Sequence, residues 1–151
     1  MKTVQGDLIK LALAGEFDVI VHGCNCFCTM GAGIAKTIKQ KFPAAYQADL
    51  ATAKGKKSKL GQISYATVEL ATNKLIVVNG YTQYHWKGSG VKADYVAIRQ
   101  VFKAIKDNFS GLRIGYPAIG AGLAGGDWSI IAKIIETELA GENHTFVEYK
   151  K

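Results

Sequence analysis

Apolar and polar positions along this chain follow two rhythms. Short β-branched or aromatic runs at Asp18–His22, Ile63–Glu69, Leu75–Tyr81, Arg113–Pro117 and Thr145–Tyr149 predict strands, with Lys2–Gln5 as an added edge strand. Between them the spacing lengthens to that of helices. Ile34, Ile38 and Phe42 recur every four residues and predict a helix over 33–42; Pro43 then opens a second, running toward Lys54. Tyr95, Ile98, Phe102, Ile105 and Phe109 repeat at 3-4-3-4, the period of an amphipathic helix, and Gly111 stops it. Asp127 suits the N-cap of a last helix whose Ile131, Ile134, Ile135 and Leu139 face a core; Gly141 ends it. Asp7 is a comparable cap for a helix over 8–14. Strands alternating with helices predict a central, largely parallel sheet between helical layers, a fold whose ligands bind beyond the carboxyl ends of the strands.

The 151 residues suit one domain spanning 1–151, and no break in composition or repeat divides them. Hydrophobic residues make up 48%, which argues against disorder. No apolar run approaches the roughly 18 residues of a membrane span, and Met1 to Lys10 lacks the pattern of an export signal. A monomer in the cytoplasm, without membrane contact, is the expectation.

Cys24, Cys26 and Cys28 alternate, with His22 nearby. A zinc site draws its ligands as pairs from two places. No second pair exists, so these are read as ordinary thiols, and no metal and no cofactor are expected. The net charge of +7 favours an anionic ligand. The densest basic run, Lys54-Gly55-Lys56-Lys57-Ser58-Lys59, contains no aromatic residue and reads as a solvated loop; a nucleic-acid partner is not indicated. His144, beside Asn143, reads as a turn residue.

Two stretches carry chemistry. His22-Gly23-Cys24-Asn25 leaves a strand, crosses a polar loop and meets Met30-Gly31-Ala32-Gly33-Ile34 at a helix start. Tyr116-Pro117-Ala118-Ile119-Gly120-Ala121-Gly122-Leu123-Ala124-Gly125-Gly126-Asp127 repeats the design. Glycines let a backbone approach a ligand closely, and free N–H groups at a helix start favour an anion. Two such loops on neighbouring strands suit a diphosphate. Neither is a P-loop, and the dinucleotide fingerprint is imperfect in both. Each loop alone is equally compatible with a structural turn.

Together with Gly6-Asp7-Leu8 and Val19–Asn25, these stretches resemble the macrodomain family in order and spacing over nearly the whole chain. The first loop resembles the branch that processes ADP-ribose-1″-phosphate or removes ADP-ribose from its acceptors. The resemblance implies a three-layer α/β/α macrodomain fold with a mixed, largely parallel sheet, and ADP-ribose or a derivative as ligand. It implies that Asp7 meets the adenine amino group, with Leu8 beside it, and that Asn25 contacts the distal ribose. Gly31, Ala32, Gly33 and Ile34 match the loop beside the distal ribose and phosphate; Ile119, Gly120, Ala121, Gly122 and Leu123 match the loop over the diphosphate. The resemblance also implies that an aromatic near Tyr149 flanks the adenine.

Relatives that strip ADP-ribose through a lysine carry Thr-Lys before a His-Trp pair. This chain reads Thr82-Gln83-Tyr84-His85-Trp86, and an amide cannot act as that nucleophile. The acidic partner of that lysine is replaced by Ala124. Asn25, His85 and Asp127 remain as catalytic candidates, and a phosphatase acting on ADP-ribose-1″-phosphate is the leading expectation. An ADP-ribosyl or O-acetyl-ADP-ribose hydrolase and a non-catalytic ADP-ribose-binding module are the alternatives.

Overall fold

The computed structural model describes residues 1–88 and 90–150. The chain runs β1 (Lys2–Gly6), α1 (Leu8–Leu13), β2 (Val19–Cys24), α2 (Gly33–Lys41), α3 (Pro43–Leu50), β3 (Ile63–Glu69), β4 (Lys74–Tyr81), α4 (Tyr95–Phe109), β5 (Ile114–Tyr116), α5 (Trp128–Glu138) and β6 (His144–Tyr149). One six-stranded sheet has the order β1-β6-β5-β2-β4-β3. Every neighbouring pair is parallel except β3–β4, so the sheet is mixed and largely parallel.

Alternation along the central strands sorts side chains to two faces. Val19 and Val21 of β2 and Val78 of β4 join Ile98, Val101, Phe102 and Ile105 of α4 and Ile131 and Ile135 of α5 in one core. Ile20 and Val77 point the other way, toward Leu8 and Ile9 of α1, Ile38 of α2 and Ala45 of α3. Helices therefore cover both faces, giving three α/β/α layers. Asp18 fixes the entry to β2: its carboxylate accepts from Arg113 Nε at 3.1 Å and Nη2 at 3.0 Å, and this pairing lowers its pKa.

Caps define the helix starts. Asp7 Oδ1 accepts from the N–H groups of Ile9 and Lys10 at 2.9 and 3.1 Å. Asp94, which the hydrophobic pattern does not single out, accepts from Ala97 N–H at 2.9 Å at the start of α4.

Two expectations need correction. The helix opened by Pro43 ends at Leu50 rather than near Lys54, and a single 3₁₀ turn follows at Lys57–Lys59. His144 is not a turn residue: it opens β6, is buried, and lies 2.7 Å from the Tyr116 hydroxyl. Burial holds its imidazole pKa below the ordinary value.

Candidate functional site

Both chemistry-bearing stretches leave the carboxyl ends of central strands. The first departs β2 and reaches α2. Asn25 organises its opening: Oδ1 accepts from Phe27 N–H at 2.8 Å and Nδ2 donates to Thr29 Oγ1 at 2.7 Å. This is a turn role, and it leaves one Nδ2 hydrogen and one oxygen lone pair uncommitted by these two bonds.

Farther on, Cys28 (φ 56°) and Met30 (φ 41°) adopt left-handed backbone that side chains other than glycine rarely take. Such strain persists only where surrounding contacts over-determine it. Here they do. Tyr46 Oη donates to the Cys28 carbonyl at 3.3 Å, Cys28 Sγ to the Asp49 carbonyl at 3.2 Å, and Lys39 Nζ to the Thr29 carbonyl at 3.4 Å. The Cys26 carbonyl accepts from Gly55 N–H at 2.7 Å and from Lys59 Nζ at 3.3 Å.

Lys59 overturns one sequence expectation. It ends the basic run read as a solvated loop, yet it is only 3% exposed. The turn at Lys57–Lys59 sends its side chain inward, where the ammonium lies 3.6 Å from Cys28 Sγ and 4.4 Å from the centre of the Tyr81 ring. Behind it runs a buried polar chain. His22 Nε2 donates to Asn79 Oδ1 at 2.7 Å, and Asn79 Nδ2 donates to Ser64 Oγ at 3.0 Å. Ser64 Oγ lies 2.8 Å from Tyr81 Oη, which donates to Asp49 Oδ1 at 2.7 Å. Among the described residues Asp49 Oδ2 has no partner, and burial raises the pKa of this carboxyl. Burial also pushes the His22 pKa down to about 4, so the ring is neutral near pH 7. The three cysteines are free and buried; burial raises the pKa of Cys24 and Cys26, which keeps these thiols protonated and unreactive near neutrality. Among the described residues, no cluster of His, Cys, Asp and Glu is placed to hold a metal ion.

The second loop leaves β5 and relies on backbone. Gly126 N–H donates to the Gly120 carbonyl at 2.7 Å, and Ala121 N–H to the Ala118 carbonyl at 3.1 Å. A Cβ built on Gly126 would lie 2.6 Å from the Gly120 carbonyl oxygen. Gly120 has φ +75°, and Ile98, Ile131 and Ala93 already crowd it. Gly122 differs: nothing lies within 4 Å of a Cβ added there, and its φ is not left-handed. Its missing side chain is therefore not required by the fold.

The loops meet where a Cβ on Gly33 would lie 3.4 Å from Leu123 Cδ1. Beneath them is a cleft of about 680 Å³. Asn25, Gly31, Ala32, Gly33, Ile34, Ile119, Gly120, Gly122 and Leu123 all border it, so most of the residues assigned to ligand binding converge. Ala121 lies within the second loop but off the cleft lining; Asp7 and Leu8, at the start of α1, are off it as well. A wider groove of about 980 Å³ between α4 and α5 contains neither loop.

The catalytic candidates divide. Asn25 borders the cleft; His85 and Asp127 do not. His85 stacks on Trp86 with ring centres 4.2 Å apart, and its Nδ1 accepts from Lys87 N–H at 2.9 Å. Asp127 caps α5, accepting from Ser129 N–H at 2.9 Å and Ser129 Oγ at 2.7 Å, and these bonds lower its pKa. Gln83 borders the cleft, with Nε2 donating to the His85 carbonyl at 3.0 Å. Thr29, Asp49, Trp86 and Lys92 also border it, and residue patterns had not marked any of them as ligand-facing. Asp49 and Lys92 arrive from outside both glycine stretches, so no local motif announces them.

The Macro domain family model matches residues 21–135. An uncharacterised 17.5 kDa protein of Enterobacteria phage T4 is 35% identical over 142 residues, covering 91% of this chain and 88% of that protein. An ADP-ribose 1″-phosphate phosphatase of Aspergillus oryzae is 48% identical over 46 residues, but these span only 30% of this chain and 21% of that enzyme. Among solved structures, Thermosipho africanus DarTG in complex with ADP-ribose superposes with a TM-score of 0.78 at 21% identity, over 99% of this chain and 42% of that one. The macrodomain of Thermus aquaticus DarG gives 0.73 at 23% identity, over 99% and 97%. At these identities the two structures speak for the fold.

Proposed function

Because the chain belongs to the macro domain family, we propose that its cleft binds ADP-ribose and that the protein hydrolyses a derivative at the distal ribose, ADP-ribose-1″-phosphate being the leading substrate. The observation that carries this reading is the convergence of two glycine-rich loops on one cleft, with Gly122 left open on one side and Asn25 on the other. In this reading the backbone of 119–123 receives the diphosphate, and the N–H groups beginning α2 lie beside the distal ribose and its phosphate. Asn25 uses its remaining amide hydrogen to hold the distal ribose. Asp7 and Leu8 meet the adenine beyond the cleft proper.

Hydrolysis of the monoester adds water oxygen to phosphorus. The bond from phosphorus to the ribose oxygen breaks, and that oxygen leaves with a proton. Gln83 has no nucleophilic lone pair to offer, so water is the nucleophile. Proton handling by His85 or Asp127 requires either side chain to leave its present partners. A loss of about 10²–10⁴ in turnover in His85→Ala or Asp127→Ala would assign that work to them.

The engagement of both side chains elsewhere favours a second reading, a module that binds ADP-ribose without chemistry. One experiment separates the two: incubation with ADP-ribose-1″-phosphate, followed for inorganic phosphate. Release above the uncatalysed rate supports the phosphatase; tight binding of ADP-ribose with no release supports the module.

A further inference from the structure

Lys92 lies on the cleft wall, outside every stretch discussed as chemical from the sequence. Its segment is fastened on two sides. The N–H groups of Lys92 and Ala93 both donate to the Ala124 carbonyl, at 2.7 and 3.2 Å, and Asp94 N–H donates to the Thr82 carbonyl at 2.8 Å. Ala93 pairs with Gln83 in an isolated antiparallel bridge. Three successive amides thus hold Lys92 between the turn carrying Gln83 and the second glycine loop.

Among the described residues only Asp49 and Lys92 carry formal charge on the lining, and Asp49 is 1% exposed. Among the described residues the Lys92 ammonium makes no ion pair or hydrogen bond. An unpaired cation on a side chain whose backbone is held at the cleft wall favours an anion there, and a lysine serves as a point charge for phosphate. The diphosphate already has the backbone of 119–123. Resting on the reading above, we propose that Lys92 is the specificity residue of the cleft: its ammonium binds the phosphate monoester on the distal ribose and selects that derivative over unmodified ADP-ribose.

Binding of ADP-ribose and of ADP-ribose-1″-phosphate, read by rapid mixing within the first turnover through the fluorescence of Trp86 on the cleft lining, tests this in the wild type, Lys92→Ala and Lys92→Arg. The wild type is expected to prefer the phosphorylated ligand by roughly ten- to hundredfold, the worth of one charge-assisted hydrogen bond. Lys92→Ala should lose that preference while its affinity for ADP-ribose stays within about twofold, a change too small to mark a lost contact. Lys92→Arg, which keeps the charge, should retain most of it. Equal loss of both ligands in Lys92→Ala overturns the proposal, as does an unchanged ratio. Borohydride trapping of a covalent adduct that vanishes in Lys92→Ala also overturns it, since Lys92 would then be a nucleophile. Failure of the wild type to bind either ligand is a different result, because it removes the ADP-ribose reading itself.

Discussion

The loop over 25–32 and the loop over 117–127 both end at a helix start, yet different parts of the molecule hold them. The first places cysteine and methionine in left-handed backbone and pins the loop with the remote side chains of Lys39, Tyr46 and Lys59 and with the backbone carbonyl of Asp49. The second is held by its own amides, and its glycines fill spaces that no side chain can share. A loop of the first kind depends on buried charge and on distant sequence. A loop of the second kind depends on the absence of atoms at particular glycines, and Gly122 stands apart because its space is open.

The contrast is sharpest at Gly126. Gly126→Val brings a branched side chain against the Gly120 carbonyl, Ile131 and Ala93. Overpacking of this kind typically costs about 1–3 kcal/mol, and the backbone clash puts this variant near about 3 kcal/mol. Urea denaturation reads the loss; a midpoint like that of the wild type would mean that the second loop tolerates side chains as the first does.

Acid should act on the first loop's support. His22 has an unfolded pKa near 6.5 and a folded pKa of about 4. Between those values the unfolded chain binds a proton that the native state refuses, so stability falls as pH drops through that window. The loss is complete below about pH 4 and is on the order of 3 kcal/mol. His144, whose pKa is also lowered, acts in the same direction, and Asp49, whose pKa is raised, acts in the opposite one. His22→Gln retains both, so its denaturation midpoint should vary less between pH 6.5 and 4 than that of the wild type. Identical slopes would remove His22 as a titrating support.

Lys59→Met keeps much of the side-chain volume but removes the donor to the Cys26 carbonyl and the cation beside Tyr81 and Cys28. Leaving the buried acceptor with fewer partners should cost about 1–3 kcal/mol. The same change at exposed Lys56 or Lys57, in the same basic run, should stay within about 0.5 kcal/mol. Equal effects at all three would return Lys59 to the solvated surface.

These differences explain what could be read from residues alone. The two long helices show their period because each presents one apolar face to one core, as Tyr95 to Phe109 does, and the central strands read as short apolar runs because both of their faces are buried. The glycine loops were visible because glycine marks its own conformation locally. Lys59 was not, since Lys54, Lys56, Lys57 and Ser58 of the same run are exposed and only the backbone at Lys57–Lys59 turns it inward. Lys92 and Asp49 reach the cleft through the isolated bridge at Ala93 and the end of α3, contacts made across the fold rather than along the chain. His85 looked reactive by residue type; its stacking on Trp86 depends on a turn whose shape the sequence does not display.

Gly122 offers the most direct test of the central claim, because it borders the cleft and a Cβ added there has no protein atom within 4 Å. ADP-ribose, AMP and NAD are titrated calorimetrically into the wild type and into Gly122→Val, with thermal melts of both. The account predicts that the wild type binds ADP-ribose at least about tenfold more tightly than AMP or NAD, a gap of about 1.4 kcal/mol, and that Gly122→Val loses this binding while melting at the wild-type temperature. Equal affinity for the three ligands, or full ADP-ribose binding by the variant, would contradict it.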